Sequence, residues 1–537
     1  MKSRFNFRSL IKFLLVLMVP LIATLSLPQD EVVKAQEAPR TAFVHLFEWK
    51  WTDIAQECED VLGPKGFSAV QVSPPMEHAW FNQGGSYPWW LRYQPVSYEI
   101  ESRSGTRAEF TNMVSRCNAV GVDIYVDAII NHMTGVGSSS GYNGTQYWEY
   151  HYPSTGYGTD NFHHCGRNGN DDISNYQDVW EVQNCELVNL TDLATDTGYV
   201  QDKIAAYMND LISLGVAGFR LDASKHMATG DINAIIAKLD GDPYIFQEVI
   251  DQGGEPITAD LYFQNGDVTE FKYSVKISEA FYSGQLSWLS NFGVDWGFMP
   301  DDKGVVFVDN HDNQRGHGGG GHVITYKDSS LYDLTNIFML AWPYGYPKVM
   351  SSYEFDDSDQ GPPQNVDGSI QSVESLGCFG HTDDSVRGWV CEHRWRPIAN
   401  MVMFRNITSG QPVSNWWDNG NDQISFSRGD KGFVAINKEG SELSQSFQTG
   451  MAAGTYCDII SGDLDNGNCT GNTVTVNGDG TANITVAAGS AVAFYAANAT
   501  PVTPVPTATP DPNANITIHY KGWSAGMVIV SMKQVLT

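Results

Sequence analysis

Positive charge is scarce in this chain: 32 Lys and Arg stand against 62 Asp and Glu, for a net charge of −30. That balance argues against nucleic acid or an anionic membrane as a partner, because both attract basic surfaces. Charge of either sign is sparse too, at 18% of 537 residues, so the chain is not a disordered polyelectrolyte. Beyond Leu27 no run is apolar enough to cross a bilayer. None of the 8 cysteines stands in a C-x-x-C spacing, which argues against a zinc site. No EF-hand loop is present. The glycine-rich stretch from Gly316 to Gly321 is followed by no P-loop lysine, so it reads as a flexible loop and not a phosphate cradle.

What is present points elsewhere. Aromatic residues reach 12%, including 15 Trp and 24 Tyr, which suits a protein that stacks rings on sugars. At the N-terminus, Lys2, Arg4, Arg8 and Lys12 precede a nearly uninterrupted apolar stretch from Phe13 to Leu27. This is the pattern of a secretory signal over residues 1–35, with cleavage near Ala35 and Gln36 as the first mature residue. The expectation is a secreted, extracellular, monomeric protein with no membrane attachment after cleavage. An even number of cysteines in an exported chain implies disulfides, whose pairing spacing alone leaves open.

From Thr41 onward, short apolar runs alternate with amphipathic segments, the βαβ pattern of a parallel sheet. Ala69–Val72 reads as a strand, Phe110–Ala119 as a helix, Val122–Ile130 as a strand and Val200–Leu214 as a helix. Between them, 132–195 dissolves into Gly, Tyr, Asn and Ser, and an insertion that long inside a compact domain is normally functional. From 406, short alternating stretches such as Gln423–Phe426, Gly432–Ile436 and Ala491–Tyr495 predict an antiparallel β-sandwich over 406–497. Arg428-Gly429-Asp430 reads as a hairpin turn, not an adhesion motif. Residues 498–513 are a Pro/Thr-rich linker. Residues 514–537, with Ile518-His519-Tyr520 and Trp523, read as the truncated remnant of a starch-binding module.

Three apolar segments end in carboxylates: Gly218-Phe219-Arg220-Leu221-Asp222, Ile245-Phe246-Gln247-Glu248 and Val305 to Asp312. An acid after a strand is usually a helix cap or a solvated charge. In a (β/α)₈ barrel, however, such residues converge on one mouth, and paired carboxylates are what glycosidic bond cleavage needs. Together with Asp127-Ala128-Ile129-Ile130-Asn131-His132, these segments resemble, in order, the signature regions of the α-amylase family of glycoside hydrolases. The likeness is nearest to the animal-type, chloride-activated branch. It runs from about Ala42 to Ala496 through His45-Leu46-Phe47-Glu48-Trp49, Trp89-Trp90-Leu91-Arg92-Tyr93 and Cys391-Glu392-His393-Arg394-Trp395.

The resemblance implies a (β/α)₈ barrel over 36–131 and 196–405, a small inserted domain over 132–195 and a C-terminal β-sandwich. It implies disulfides Cys58–Cys117, Cys165–Cys185, Cys378–Cys391 and Cys457–Cys469. Asp222 would be the nucleophile, Glu248 the general acid and base, and Asp312 the third carboxylate, bonding sugar hydroxyls. Arg220, two residues before Asp222 on the same strand face, would keep it ionised. Trp89, Trp90, Tyr93, His132, Arg220, Lys225 and His311 would contact the glucan. Calcium would bind Asn131, Asp192 and the backbone carbonyls of Gln183 and His226, Gln183 standing where the animal enzymes usually have Arg. Chloride would bind Arg220, Asn310 and Lys348, the last in place of the more usual Arg, which loses a bidentate fork. The expected activity is endo-hydrolysis of α-1,4-glucans (starch, glycogen, maltooligosaccharides) with retention of configuration. A transglycosylase on the same fold is the alternative. A non-catalytic glucan-binding protein is disfavoured because all three carboxylates are present.

Overall fold

The computed structural model describes residues 41–318, 320–379, 388–465 and 467–498. The expected signal segment, nearly all of the linker and the C-terminal remnant lie outside the described residues. Eight parallel strands close into a barrel: β1 (Phe43–Leu46), β2 (Ala69–Val72), β3 (Asp123–Ala128), β4 (Gly218–Leu221), β5 (Tyr244–Gln247), β6 (Asp267–Thr269), β7 (Gly304–Val306) and β8 (Tyr346–Ser351). Each pairs with the next in chain order, and β8 closes on β1 through Phe43–Lys348 and Leu46–Ser351. β1, β2 and β4 are buried at every position, as expected of a parallel sheet covered by helices. β3 ends at Ala128, two residues before the apolar run does, so Asn131 and His132 leave the ladder at its C-terminal end.

The helices lie outside the barrel. α1 (Trp51–Glu57) is bound to α2 (Arg107–Ala119) by the Cys58–Cys117 disulfide. α2 starts with a capping box, Thr106 and Glu109 each bonding the other's backbone N–H, which satisfies two donors that a helix start leaves open. α3 (Gly198–Ser213) leads into β4. Within 132–195 the regular elements are few: a hairpin of Ser138–Ser140 with Gln146–Trp148 and a short helix, Val179–Val182, followed by the Cys165–Cys185 disulfide. The two remaining disulfides are Cys378–Cys391 and Cys457–Cys469, so all four pairs are those the resemblance implied.

C-terminal to the barrel, Val413–Asp418, Gln423–Arg428, Gly432–Asn437 and Ser490–Tyr495 form an antiparallel sheet. It packs through Phe433 and Phe494 on a second layer holding Phe447, Ile484 and Val476, a core separate from that of the barrel. Gly429 takes φ +52 in the Arg428–Gly432 hairpin, a backbone state that glycine adopts without a Cβ clash.

One buried carboxylate ties the start of the barrel to its end. Glu57, in α1, accepts hydrogen bonds from His393 Nε2 and Arg394 Nε, both 2.8 Å away, across more than 300 residues of chain. Burial opposes its charge, yet these donors hold its pKa down at about 2. A depressed carboxylate stabilises the fold above its unfolded pKa and loses that contribution as pH falls toward the folded value. Replacing Glu57 with Gln should therefore lower unfolding stability at neutral pH by about 2–3 kcal/mol, discounted for the exposed edge of Arg394. The gap between the parent and the variant should shrink as denaturation is measured from pH 4.5 down toward the pKa of about 2.

Candidate active site

The site is assembled around one guanidinium. Strand register sets Arg220 beside Asp127 of β3 on one side and Phe246 of β5 on the other. Arg220 Nη1 donates to Asp127 Oδ1 at 2.5 Å and to Asp222 Oδ1 at 2.7 Å, and its Nη2 donates to Glu248 Oε1 at 2.5 Å. After Asp222 the chain turns sharply, with Ala223 at φ +49. That turn aims the Ala223 N–H at Glu248 Oε2, 3.0 Å away. A non-glycine residue in this region is strained, and such strain clusters at functional sites. Asp312 lies beyond β7, its N–H on Asn310 Oδ1 at 3.0 Å and its Oδ2 3.3 Å from His311 Nε2.

Charge decides the protonation of this cluster. Burial pushes the Asp222 carboxyl well above its ordinary value; Arg220 opposes that, while Glu248 and Asp127 add to it. Burial raises Asp127 as well, against the same guanidinium. Asp312 is pushed up to about 7, by burial first and by Glu248 next. One guanidinium cannot hold three touching carboxylates fully ionised in a low-dielectric pocket, so a proton stays within the group. A cluster that keeps one acid beside one carboxylate is equipped for general acid catalysis with a nucleophile. Burial lowers His132 to about 4 and takes His311 well below its usual value, so both rings are neutral donors near pH 7.

The aromatic residues form a wall on one side. Tyr93 stacks on His311 with centroids 5.1 Å apart, and Trp89 meets each of them at 5.6 Å. Trp90 sits farther out, against Phe81 at 5.7 Å. On the other side a cavity of about 300 Å³ is lined by Tyr176, Lys225, His226, Glu248, Ile250 and Glu255, among others. Lys225 Nζ bonds the Ile250 carbonyl at 2.7 Å, pairs with Glu255 and lies over the Tyr176 ring. Sequence reasoning did not single out Asp127, Tyr176 or Glu255. Asp127 had a signal, since a carboxylate inside a fully buried strand needs a cation. Tyr176 and Glu255 lie in loops without periodicity and had none.

The residues expected to hold ions fall into two groups. Asn131 and Asp192 are neighbours, joined by the Leu193 N–H to Asn131 carbonyl bond of 2.9 Å. Asn131 Oδ1 is buried without a hydrogen-bond partner, and burial raises Asp192 to about 7 while His163 Nδ1 holds its Oδ2 at 2.7 Å. Gln183 and His226 are neighbours too: His226 Nδ1 donates to the Val182 carbonyl at 3.2 Å, and Gln183 Nε2 to that of Met227 at 3.4 Å. Among the described residues no group of three or more His, Cys, Asp and Glu could hold a metal, so a cation here would need amide and carbonyl oxygens beside the Asp192 carboxylate. In the second group, Lys348 is buried 5.0 Å from the Phe307 ring centroid, with no carboxylate in ion-pair distance among the described residues. Burial and then Arg220 bring its pKa down to about 8.

Comparison with known proteins agrees with the fold. The α-amylase catalytic domain matches residues 92–243, and the α-amylase C-terminal all-β domain matches residues 414–497. Pancreatic α-amylase from Rattus norvegicus is 50% identical over 490 residues, spanning 86% of this chain and 94% of that protein. Human α-amylase 2B is 50% identical over 491 residues, with the same coverage of both chains. Among solved structures, a mutant of α-amylase I from Eisenia fetida in complex with maltohexaose superposes with a TM-score of 0.81 at 43% identity, covering 86% of this chain and 98% of that one. The chain belongs to the α-amylase family of glycoside hydrolases.

Asp127 accepts from Tyr93 Oη at 3.0 Å and Gln71 Nε2 at 3.2 Å as well as from Arg220. Asp127→Asn keeps its shape but removes an anion from Arg220. We expect kcat on soluble starch to fall at least about 10-fold, since small misplacements in such sites weigh heavily, with the fold retained by circular dichroism. Parent-like kcat would show that Asp127 does not help set the site.

Proposed function

We propose that this chain is a secreted, endo-acting α-1,4-glucan hydrolase that cleaves starch, glycogen and maltooligosaccharides with retention of configuration. One observation carries the mechanism: Arg220 touches both Asp222 and Glu248, so nucleophile and proton donor share one face of the cleft. Asp222 attacks the anomeric carbon while Glu248 protonates the departing glycosidic oxygen, giving a glycosyl ester on Asp222. Glu248, now a carboxylate, takes a proton from water, and that water releases the sugar with its original configuration. Arg220 favours the ionised form of Asp222 that the attack requires, against the burial that opposes it. Asp312 and His311 bond hydroxyls of the sugar being distorted, and His132 donates as a neutral ring. Trp89, Trp90 and Tyr93 stack the donor-side rings, and Lys225 meets the sugar beyond the cleaved bond.

Calcium fits the oxygens of Asn131 and Asp192 and the carbonyls of Gln183 and His226, because Asn131 Oδ1 is an orphaned buried acceptor and Asp192 a buried carboxylate. Bound there, it would crosslink the 132–195 insertion to the barrel. An anion such as chloride fits beside Arg220, Asn310 and Lys348, where two buried cations repel each other. It would supply negative charge there and let Lys348 stay protonated. We read 36–131 and 196–405 as one catalytic domain, 132–195 as its insertion and 406–497 as a separate β-domain.

Glu248→Gln removes the proton donor at constant shape. Turnover should drop by about 10²–10⁴-fold or more, while maltohexaose binding survives; near-normal turnover would end the assignment. Chelation should lower the melting temperature, since a ligand at a hundredfold excess over its Kd stabilises by about 2.7 kcal/mol. Asp192→Ala should mimic it, and an unchanged melting curve in chelator would refute the ligand set.

A further inference from the structure

We propose that Arg315 is a positioning residue for the sugar-binding wall, holding Trp89 and His311 in the geometry that binds the ring being cleaved. The inference rests on reading the site as a glucan cleft.

Arg315 follows Asp312 in the turn after β7 and is 7% exposed. Its guanidinium carbon lies 5.1 Å from the ring centroid of Phe47, 5.7 Å from Trp89, 5.0 Å from Tyr353 and 4.1 Å from Phe355. Nη1 donates to the His311 carbonyl at 2.9 Å. Nε and Nη2 are buried with no hydrogen-bond partner, and no carboxylate lies within ion-pair distance among the described residues. As a device for stability alone, this is a poor one. A buried cation with no carboxylate in ion-pair distance recovers little of its desolvation, and an apolar side chain of similar volume would pack as well.

What the charge and the flat shape do achieve is a fixed arrangement of rings. Cations attract aromatic faces, and a planar guanidinium can lie against several rings while still donating in its own plane. Arg315 thereby links both sides of the wall. On one side it holds the backbone of His311, whose ring stacks on Tyr93. On the other it grips Phe355, in the segment whose Ser358 carbonyl accepts the Trp89 indole N–H at 2.8 Å. Lys327 covers the Phe355 ring at 3.7 Å and bonds the Phe355 carbonyl at 2.8 Å, so that segment is clamped twice. Arg315 also reaches the chemistry through charge. Asp312 is faced by Glu248, Arg220, Asp127, His311 and Arg315, and Arg315 is one of the groups that favour its ionised form.

The test uses the full-length enzyme with maltoheptaose, comparing Arg315→Met and Arg315→Lys. Arg315→Met should retain the parent circular dichroism but lose about 10²-fold in kcat/KM, mostly in kcat. The acid limb of its pH profile should move upward, because a cation favouring ionised Asp312 is gone. Arg315→Lys should restore the acid limb but not kcat/KM, since it returns the charge without the planar stack. With Glu248→Gln added to either variant, quenching of tryptophan fluorescence by maltohexaose should need a higher sugar concentration than with Glu248→Gln alone. Parent kinetics in folded Arg315→Met would overturn the proposal. So would activity that falls only with the folded fraction at unchanged KM and pH profile. Should Arg315→Met fail to fold, parent kcat/KM in Arg315→Lys overturns it equally.

Discussion

Everything catalytic in this molecule is arranged around the charge of Arg220. Its guanidinium is buried and in contact with carboxylates from three consecutive barrel strands or their ends. Without it, Asp127, Asp222 and Glu248 would be like charges packed together away from water, an arrangement that folding could tolerate only by protonating most of them. With it, each of the three carboxylates has a cation within hydrogen-bond distance. The barrel makes this possible because parallel strands in register deliver adjacent side chains to one mouth from distant parts of the chain. β3, β4 and β5 are neighbours in the sheet, although the 132–195 insertion separates the first two in sequence.

That insertion explains why so much of the structure consists of ties. Asp192 and Asn131 bring the insertion back to the end of β3, and Gln183 bridges to Met227 beyond β4. Glu57 and the Cys391–Trp395 segment fasten the end of the barrel to its beginning. Arg92, buried and donating to the Pro74 carbonyl and Ser104 Oγ, ties together the segments that flank Trp89 and Tyr93 in the chain. Each of these contacts fixes a loop that would otherwise pay its own ordering entropy when substrate binds.

Much of this was legible in the sequence, for identifiable reasons. β4 and β5 stand out because apolar runs end abruptly in Asp222 and Glu248, and the carboxylates follow at the positions where strands open toward the mouth. The antiparallel domain is readable from Gln423–Phe426 and Gly432–Ile436, which fall inside the paired strands Gln423–Arg428 and Gly432–Asn437. β3 was expected to reach Ile130 but ends at Ala128, because Asn131 and His132 must leave the ladder to reach the mouth. What the chain did not disclose is pairwise. No local pattern says that Asp127 shares Arg220, that Glu255 meets Lys225, or that Arg315 lies among four rings. Those contacts depend on which loops fold back over the mouth, and loops carry no hydrophobic period.

If Asp222 and Glu248, drawn to the same guanidinium, act as a nucleophile and acid pair on one bond, the stereochemistry of the product records it. The most direct measurement is the anomeric configuration of the first product released from maltoheptaose, followed by proton NMR before mutarotation. The expected result is the α-anomer, since attack by Asp222 and then by water inverts the centre twice. Initial release of the β-anomer would mean that water attacks directly, and it would contradict the arrangement described here.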